Sequence, residues 1–268
     1  MLGNWLHRVF RLPYTLYSER FKATGKKRGT ILLIHGIGSS HTMWREITPK
    51  LTASYDVIAV DLLGFGNSPR PGYVTYSAKT HARSVLATVL GRYRPTSPLI
   101  IVGHSLGSLV AIEFARRYPL LVRRLILCSP PLYKIETGTS TTIPDTERLL
   151  KSLYRIIRKH PEQLPRISDL GKRLGLVDVS VSITKENAGA FVETLETTII
   201  NQTSINDVVL LPHRITILYG YLDPLVLLSN LKYVEQAAPH AIIKKIHAAH
   251  DIRDRYAKEL IEVILEDA

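Results

Sequence analysis

The feature that most restricts the fold is an alternation, between residues 30 and 128, of short β-branched apolar runs with longer segments of helical periodicity. This alternation is typical of βαβ units, in which apolar strands are covered by helices on both faces of a parallel sheet. It predicts an α/β fold whose central sheet is mainly parallel and flanked by helices. The predicted strands here are 31–34, 57–60, 99–102 and 125–127, and the predicted helices are 42–52, 76–91 and 106–118.

The alternation stops after Ser129-Pro130-Pro131 and resumes only near residue 215. The intervening stretch has no strong buried strand, but it holds two amphipathic patterns that predict helices. We therefore interpret it as a helical insertion in one α/β core. The insertion helices are predicted at 145–159 and 186–200, and the later core elements at 215–219, 225–237, 241–243 and 252–265. The predicted division is a first core part at 1–131, the insertion at 132–205 and a second core part at 206–268.

Length and composition favour one soluble domain. The 268 residues are 45% hydrophobic and 22% charged, and no apolar run reaches the roughly 18 residues needed to span a bilayer. Residues 1–10 lack a continuous apolar stretch and a small-residue cleavage site, so we expect no secretory signal and a cytoplasmic location. The single cysteine, Cys128, ends an apolar run and is interpreted as a buried strand residue.

The net charge of +12 is concentrated in the first half of the chain, where segments 1–30 and 31–130 carry +6 and +7. No helix pattern shows a Lys/Arg stripe interleaved with aromatic residues, and no zinc or RNA-binding motif occurs, so we expect no nucleic-acid partner. An alternative use of the charge is weak contact of a short N-terminal interfacial helix with anionic lipid. The same side chains could instead pack on the protein's own surface. The residues concerned are Trp5, Leu6, Val9 and Phe10, flanked by Arg8 and Arg11.

One pentapeptide, Gly103-His104-Ser105-Leu106-Gly107, lies between the predicted strand 99–102 and the predicted helix 106–118. In this context it is interpreted as a nucleophile elbow, a tight and strained turn that raises the serine hydroxyl above the sheet. The flanking glycines avoid side-chain collisions. The start of the helix offers positive potential and the backbone N–H of Leu106 to a developing oxyanion. Ser105 is therefore the predicted nucleophile.

A serine hydroxyl near neutral pH needs a base, and the base needs an orienting carboxylate. Asp223 follows the predicted strand 215–219, where its side chain can reach the carboxyl edge of the sheet, whereas the preceding core strand is followed only by serine and proline. The last strand leads to His247-Ala248-Ala249-His250. We favour His250 as the base, since His247 could still belong to the strand end. The order Ser, Asp, His is that of the triad in such folds.

A second oxyanion donor, the backbone N–H of Ile37, is expected in the loop Ile34-His35-Gly36-Ile37-Gly38. His35 is a competing candidate for the base, although it fits better as a buried imidazole that holds the loop by hydrogen bonds. His104 is interpreted in the same way. The remaining histidines show no paired His/carboxylate spacing, so we expect neither a metal site nor a cofactor.

Two further motifs accompany these residues. They are His35-Gly36-Ile37-Gly38 with Trp44, and Asp61-Leu62-Leu63-Gly64-Phe65-Gly66-Asn67-Ser68-Pro69. With the Ser105 turn, Asp223 and His250, the chain resembles, over nearly its whole length, the α/β-hydrolase superfamily and its esterase and lipase-like branch with a helical cap. The segment between Gly25 and the first buried strand is short, so the usual leading hairpin is expected to be abbreviated.

The resemblance implies a role for each candidate residue. Ser105 would attack, His250 would transfer the proton and Asp223 would hold His250. Ile37 and Leu106 would form the oxyanion hole, and the insertion would form a cap over the pocket. The implied reaction is hydrolysis of a carboxylic ester, or of a thioester, through an acyl-enzyme.

Other members of the superfamily define the alternatives. Epoxide hydrolases and haloalkane dehalogenases use an aspartate where this chain has Ser105, which argues against both. Carbon–carbon hydrolases share the serine and the cap but usually carry a tryptophan after the histidine, where this chain has Asp251. They stay an alternative, as does a non-catalytic binding protein on the same scaffold. Leu149, Leu153 and Tyr154 in the predicted cap favour an apolar or acyl-bearing small molecule as substrate.

Overall fold

The computed structural model describes residues 7–133, 163–173 and 181–266, and the strands among them form one sheet. The strands are β1 Ser18–Phe21, β2 Thr30–Ile34, β3 Asp56–Val60, β4 Leu99–His104, β5 Val122–Cys128, β6 Arg214–Gly220 and β7 Ala241–Ile246. Their order across the sheet is β1-β3-β2-β4-β5-β6-β7. β1 runs antiparallel to β3, and every other neighbouring pair is parallel.

Helices cover both faces of this sheet. The described α-helices are α1 Thr48–Leu51, α2 Ala78–Thr88, α3 Leu106–Arg117, α4 Leu164–Arg173, α5 Ala188–Thr194, α6 Ser204–Leu210, α7 Leu228–Ala237 and α8 Asp254–Leu265. None of them is long and apolar enough to cross a membrane. The prediction of an α/β fold with a mainly parallel, helix-flanked sheet is confirmed.

The strands alternate their side chains between two buried clusters, one on each face. In β2, Leu32 and Ile34 join the cluster under α2, α3 and α7, while Ile31 and Leu33 join the cluster under α1 and α8. This is the period of two that a pleated strand imposes. Because both faces are covered, β2 is buried at every position, which explains its continuous apolar sequence.

The predicted helix 42–52 is wrong. Residues His41–Trp44 form a 3₁₀ turn in which the Ser40 hydroxyl accepts the Thr42 N–H, and only α1 is α-helical. Pro49 lies in the first turn of α1, where its missing N–H is tolerated but cannot extend a helix from the preceding turn. The apolar side chains of this stretch are still buried against the sheet. Their spacing therefore resembled that of one longer amphipathic helix.

Two other helices begin later than predicted. The helix predicted at 76–91 begins as α2 at Ala78, because the Ser77 hydroxyl accepts the Thr80 N–H as an N-cap, and it ends in a π-helical turn, Val89–Tyr93. The helix predicted at 225–237 begins only with α7, at Leu228.

Before β2 the described residues contain one edge strand, β1, in line with the expected abbreviated hairpin.

Only part of the predicted insertion lies within the described residues. The predicted helix 145–159, with Leu149, Leu153 and Tyr154, falls outside them. The predicted helix 186–200 corresponds to α5 and a following π-helical turn, Leu195–Ile200. Helix α6 crosses the predicted limit at 205 and packs through Ile205 into the same cluster as α3. The domain limits therefore stay predictions.

His81 is a buried titratable group in α2, with its ring centroid 6.5 Å from that of Phe65 and 6.1 Å from that of Tyr76. Burial, and to a smaller extent the nearby His35, lower the pKa of His81 to about 3. The folded protein thus keeps His81 neutral at pH values where the unfolded chain binds a proton. Acidification should therefore favour the unfolded state through this residue.

We expect the free energy of unfolding to fall, through His81 alone, by up to about 1.4 kcal/mol per pH unit as the pH drops from its ordinary pKa toward the lowered value. His81→Leu should remove this share of the pH dependence, leaving the share of the buried His35. Urea unfolding at a series of acidic pH values measures the slope. An unchanged slope in His81→Leu would contradict the prediction.

Candidate active site

Ser105 lies in the turn between β4 and α3, with φ 51° and ψ −120°. A positive φ is uncommon for a residue other than glycine and costs of order 1–3 kcal/mol, so the surroundings must hold it. The Ser105 N–H donates to the carbonyl of Cys128 at 2.9 Å, and the Ser108 N–H donates to the carbonyl of Ser105 at 2.9 Å. These bonds fix the serine at the carboxyl edge of the sheet.

Gly103 and Gly107 allow this turn to pack closely. A Cβ on Gly107 would lie 2.2 Å from the carbonyl oxygen of Ile34, and a Cβ on Gly103 would lie 2.4 Å from the carbonyl oxygen of Gly107. Both obstacles are backbone atoms, which cannot move aside as a flexible side chain could. The two glycines of the pentapeptide are therefore required by the contact of the turn with β2 and with itself.

Asp223 and His250 meet at the same edge of the sheet. Asp223 lies three residues after β6, and His250 lies four residues after β7. Both side chains are buried, and His250 Nδ1 is 2.7 Å from Asp223 Oδ2. The alternative base, His247, is exposed directly after β7. The structure thus brings His250, rather than His247, to the aspartate.

The surroundings of Asp223 favour its charged form. Burial raises the pKa of Asp223, but its neighbours outweigh burial and hold the pKa below its ordinary value. These neighbours are His250, the Leu225 N–H at 2.9 Å from Oδ1, and the Ser129 hydroxyl. Asp223 is therefore a carboxylate at neutral pH, able to orient His250 and to stabilise its protonated form.

Ser129 has a role that was not predicted from the sequence, although its place directly after β5 was a usable signal. Ser129 has φ 46° and is fully buried, so its conformation is imposed by the fold. Its hydroxyl lowers the pKa of Asp223 by hydrogen bonding. It also lies 3.3 Å from the hydroxyl of Tyr256, which donates to the Leu218 carbonyl. Ser129 thus helps to hold the carboxylate in place.

His104, interpreted from the sequence as a hydrogen-bonding residue, holds the backbone of His250. Its Nε2 lies 2.9 Å from the His250 carbonyl oxygen, and the centroids of the two rings are 4.7 Å apart. Because a carbonyl oxygen only accepts, Nε2 carries the proton in this bond. The contact ties the end of β4 to the loop after β7. His104 is therefore a positioning residue for His250.

Replacing His104 by phenylalanine keeps an aromatic ring and removes the donor. We expect about a tenfold loss of kcat with little change in KM, since the bond positions His250 and does not touch the substrate. His104→Gln, whose amide can donate, should recover most of this loss. Steady-state kinetics of both variants make the test. Equal losses in both would indicate a packing role and contradict the prediction.

The loop after β2 brings a predicted oxyanion donor beside the serine. A Cβ on Gly36 would lie 3.3 Å from Ser105 Cβ, so the backbone of this loop contacts Ser105 closely. Ile37 follows directly in the chain and is half-buried. Leu106 is the first residue of α3, so its N–H has no acceptor within the helix and lies at the positive end of the helix dipole. Both predicted donors thus belong to segments adjoining Ser105.

His35 is committed to holding this loop. Its Nε2 accepts the Leu62 N–H at 2.8 Å, and its Nδ1 lies 2.6 Å from the Gly36 carbonyl oxygen. Burial lowers the pKa of His35, so the ring is neutral and both nitrogens are occupied. This arrangement agrees with its interpretation as a loop-holding residue and leaves His250 as the base candidate.

Asp61 connects the loop after β2 to the loop after β3. Its fully buried carboxylate accepts the His41 N–H at 2.6 Å and the Asn67 N–H at 2.7 Å. A Cβ on Gly66, which has φ 50°, would lie 2.2 Å from Asp61 Oδ2. In the sequence Asp61 stands only as part of a motif. Its function as a link between two loops depends on contacts that the motif does not show.

Residues of the predicted cap lie over this loop. The Ser182 N–H donates to the Gly38 carbonyl at 2.8 Å. A Cβ on Gly38, which has φ 71°, would lie 2.9 Å from Val181 Cγ1 and 3.1 Å from the ring of Phe191. The two side chains that contact Gly38, those of Val181 and Phe191, are therefore apolar.

The thiol of Cys128 does not compete with Ser105 as a nucleophile. Cys128 is buried in β5, and burial raises the pKa of its thiol far above the ordinary value, so it is a protonated thiol at neutral pH. Among residues 7–133, 163–173 and 181–266, no group of three or more His, Cys, Asp and Glu side chains is arranged to hold a metal ion.

The family model described as the alpha/beta hydrolase fold matches residues 29–171, more than half of the chain. The chain belongs to the α/β-hydrolase family. The match includes the loop after β2 and the Ser105 turn, whereas Asp223 and His250 lie beyond it. Family membership establishes the fold and identifies neither a reaction nor a substrate.

The α/β hydrolase is also similar to curated proteins. It is 29% identical over 180 residues to the probable lysophospholipase BODYGUARD 2 of Arabidopsis thaliana, a match that covers 65% of this chain and 38% of the relative. It is 45% identical over 115 residues to an uncharacterized protein of Mycobacterium tuberculosis, covering 42% of this chain and 32% of the relative. The chain thus spans about a third of the length of these relatives.

Solved structures share the fold over nearly the whole of this chain. A thermophilic esterase from Thermogutta terrifontis has a TM-score of 0.68 and 20% identity, covering 94% of this chain and 92% of that one. The meta-cleavage product hydrolase of Pseudomonas fluorescens has a TM-score of 0.66 and 21% identity, covering 94% and 93%. At these identities the likeness shows the fold alone.

Proposed function

We propose that this α/β hydrolase is a serine esterase that cleaves a carboxylic ester, or a thioester, through an acyl-enzyme. The observation that carries the proposal is the buried 2.7 Å contact between His250 Nδ1 and Asp223 Oδ2, at the sheet edge where the strained Ser105 turn lies. A hydroxyl, an imidazole and a carboxylate at one edge make the set that activates a serine.

In acylation, His250 Nε2 removes the Ser105 proton, since Nδ1 is directed to Asp223. Oγ attacks the carbonyl carbon, and the carbonyl electron pair moves to its oxygen. The backbone N–H groups of Ile37 and Leu106 stabilise that oxyanion. When the intermediate collapses, the carbonyl re-forms, the C–O bond to the alcohol breaks, and His250 gives its proton to the leaving oxygen.

Deacylation repeats these steps with water as the nucleophile. His250 takes a proton from water, the hydroxide oxygen attacks the acyl carbon, and the bond to Oγ breaks. Ser105 recovers its proton from His250 and the carboxylic acid leaves. Asp223 stays ionised throughout and stabilises each imidazolium, in keeping with its lowered pKa.

The apolar cover favours an acyl-bearing substrate. Val181 and Phe191 contact Gly38 of the loop after β2, and apolar side chains of this kind bind hydrocarbon rather than charged groups. Relatives described as probable lysophospholipases support the same substrate class. They are much longer proteins, so the acyl ester class is a proposal for this chain and rests chiefly on the cover.

Covalent labelling followed by a substrate panel tests the function. We expect an alkyl fluorophosphonate to label the protein at a single site, Ser105, and p-nitrophenyl esters to be turned over with a preference that depends on acyl length. Competition by the p-nitrophenyl ester should slow the labelling. Absence of labelling in a folded sample would overturn the proposal.

The same panel decides the alternative of carbon–carbon bond hydrolysis, which a Ser-His-Asp set can also perform. It should contain a vinylogous diketone acid beside the esters. The similarity to the meta-cleavage product hydrolase is one of fold, and Asp251 follows the histidine here. Turnover of the diketone acid in preference to every ester would establish the alternative and contradict an esterase.

A further inference from the structure

A groove of about 670 Å³ lies between the N-terminal segment and the beginning of α2. We call it the N-terminal groove. None of its lining residues belongs to the Ser105 site, so it is a separate surface feature. The lining residues that matter below are Arg8, Arg11, Leu12, Tyr73, Lys79 and Arg83.

Every charged side chain in the lining of the N-terminal groove is basic. Arg8 and Arg11 come from the N-terminal segment, while Lys79 and Arg83 come from successive turns of α2 and lie on one helix face. Residues 1–18 and 62–112, which contain the whole lining, include no Asp or Glu. The segments that build the groove therefore contribute positive charge only.

The N-terminal segment is held against α2 by specific contacts. Arg83 Nη2 donates to the Arg11 carbonyl oxygen at 3.1 Å. The Arg8 guanidinium lies 6.0 Å from the centroid of the Tyr73 ring. These contacts bring the basic groups of two distant chain segments onto one surface, instead of leaving them on a separate tail.

Large apolar side chains are exposed on the same surface. Residues 7–10 are helical, and both the helix and the lining of the groove expose hydrophobic groups to solvent. The exposed fractions are 51% for Val9, 61% for Phe10, 48% for Leu12 and 42% for Tyr73. A patch that combines basic and large apolar side chains differs from an ordinary solvated surface.

We propose that the N-terminal groove and residues 7–12 form a docking surface for an anionic lipid bilayer. Arginine and lysine bind phosphate headgroups, while Val9, Phe10 and Leu12 enter the headgroup and acyl boundary. A nucleic acid would satisfy the basic groups but would leave the aliphatic side chains exposed to water. The bilayer matches both kinds of side chain at once.

The docking surface also adjoins the cover of the Ser105 site. The segment that leads from Tyr73 into α2 includes Tyr76, whose carbonyl oxygen accepts the hydroxyls of Thr197 and Thr198 at 3.0 and 2.9 Å. These threonines belong to the π-helical turn after α5. The docking proposal does not depend on ester hydrolysis, because the groove and the Ser105 site share no residue.

Vesicle sedimentation tests the docking surface. Wild-type protein should bind vesicles of phosphatidylcholine with about 30 mol% phosphatidylglycerol, and hardly bind phosphatidylcholine alone, with affinity decreasing as salt increases. Arg8→Glu/Lys79→Glu should weaken binding by about 25-fold or more, since each basic residue near an anionic surface contributes about fivefold to the affinity. Val9→Ser/Leu12→Ser should weaken binding at high salt, where the apolar contribution dominates.

A matched variant, Lys50→Glu/Lys258→Glu, reverses the same number of charges on α1 and α8, which cover the opposite face of the sheet. It should lose much less affinity than Arg8→Glu/Lys79→Glu. Circular dichroism shows whether each variant is folded. Equal losses in the two charge variants, or equal binding to both vesicle types, would overturn the proposal. So would wild-type binding to a DNA duplex that is lost in Arg8→Glu/Lys79→Glu while vesicle binding persists.

Discussion

Ser105→Ala is expected to lower kcat for ester hydrolysis by about 10⁴-fold or more, because it removes the atom that forms the acyl-enzyme. Substrate binding should change little, since the substitution deletes one oxygen from a buried turn. Alanine also retains the backbone contacts that hold φ at 51°. Turnover of the best p-nitrophenyl ester measures the effect, and fluorophosphonate labelling should be lost in parallel.

Ser108→Ala provides the matched control three residues later in α3. Its hydroxyl donates to the Gly103 carbonyl at 2.7 Å, so the variant should lose of order 1 kcal/mol of stability. It keeps the nucleophile and should stay within about tenfold of the wild-type rate. Turnover by Ser105→Ala within the same range as Ser108→Ala would exclude Ser105 as the nucleophile.

Asp223→Asn should lower kcat by about 10⁴-fold, as removal of the orienting charge does in other Ser-His-Asp sites. An amide in this position can donate to His250 Nδ1, which favours the imidazole tautomer that holds its proton on Nε2. That tautomer cannot accept the Ser105 proton. The loss should appear in kcat, with KM nearly unchanged, and should diminish at high pH, where deprotonation of Ser105 needs less help from the base.

Asp254→Asn is the control for this substitution, since Asp254 is an exposed aspartate four residues after His250. It should retain wild-type turnover. The pKa of Asp223 is lowered, so Asp223 should stay ionised as the pH falls toward the ordinary aspartate pKa near 3.8. Its protonation should therefore not limit activity in that pH range. Wild-type rates in Asp223→Asn, or a loss of the same size in Asp254→Asn, would remove Asp223 from the mechanism.

Strands were the part of the fold most open to prediction. The runs at 31–34 and 99–102 consist of residues typical of a strand buried on both faces, and β2 and β4 occupy these positions. The Ser105 turn was visible because glycine, serine and glycine stand at a strand-to-helix junction. Helix limits were harder, since Pro49 and the Ser77 cap act locally against an apolar spacing that extends further.

The amino-acid sequence by itself therefore determined the α/β class, the Ser105 turn and the chain order of the candidate serine, acid and base. The choice between His250 and His247 needed the tertiary structure, because residues three positions apart on one loop differ in surroundings rather than in composition. The tertiary structure also decided the parts played by Ser129, His104 and Asp61. Each acts through a contact with a residue distant in the chain, and such contacts exist only once parallel strands bring their carboxyl ends to one edge.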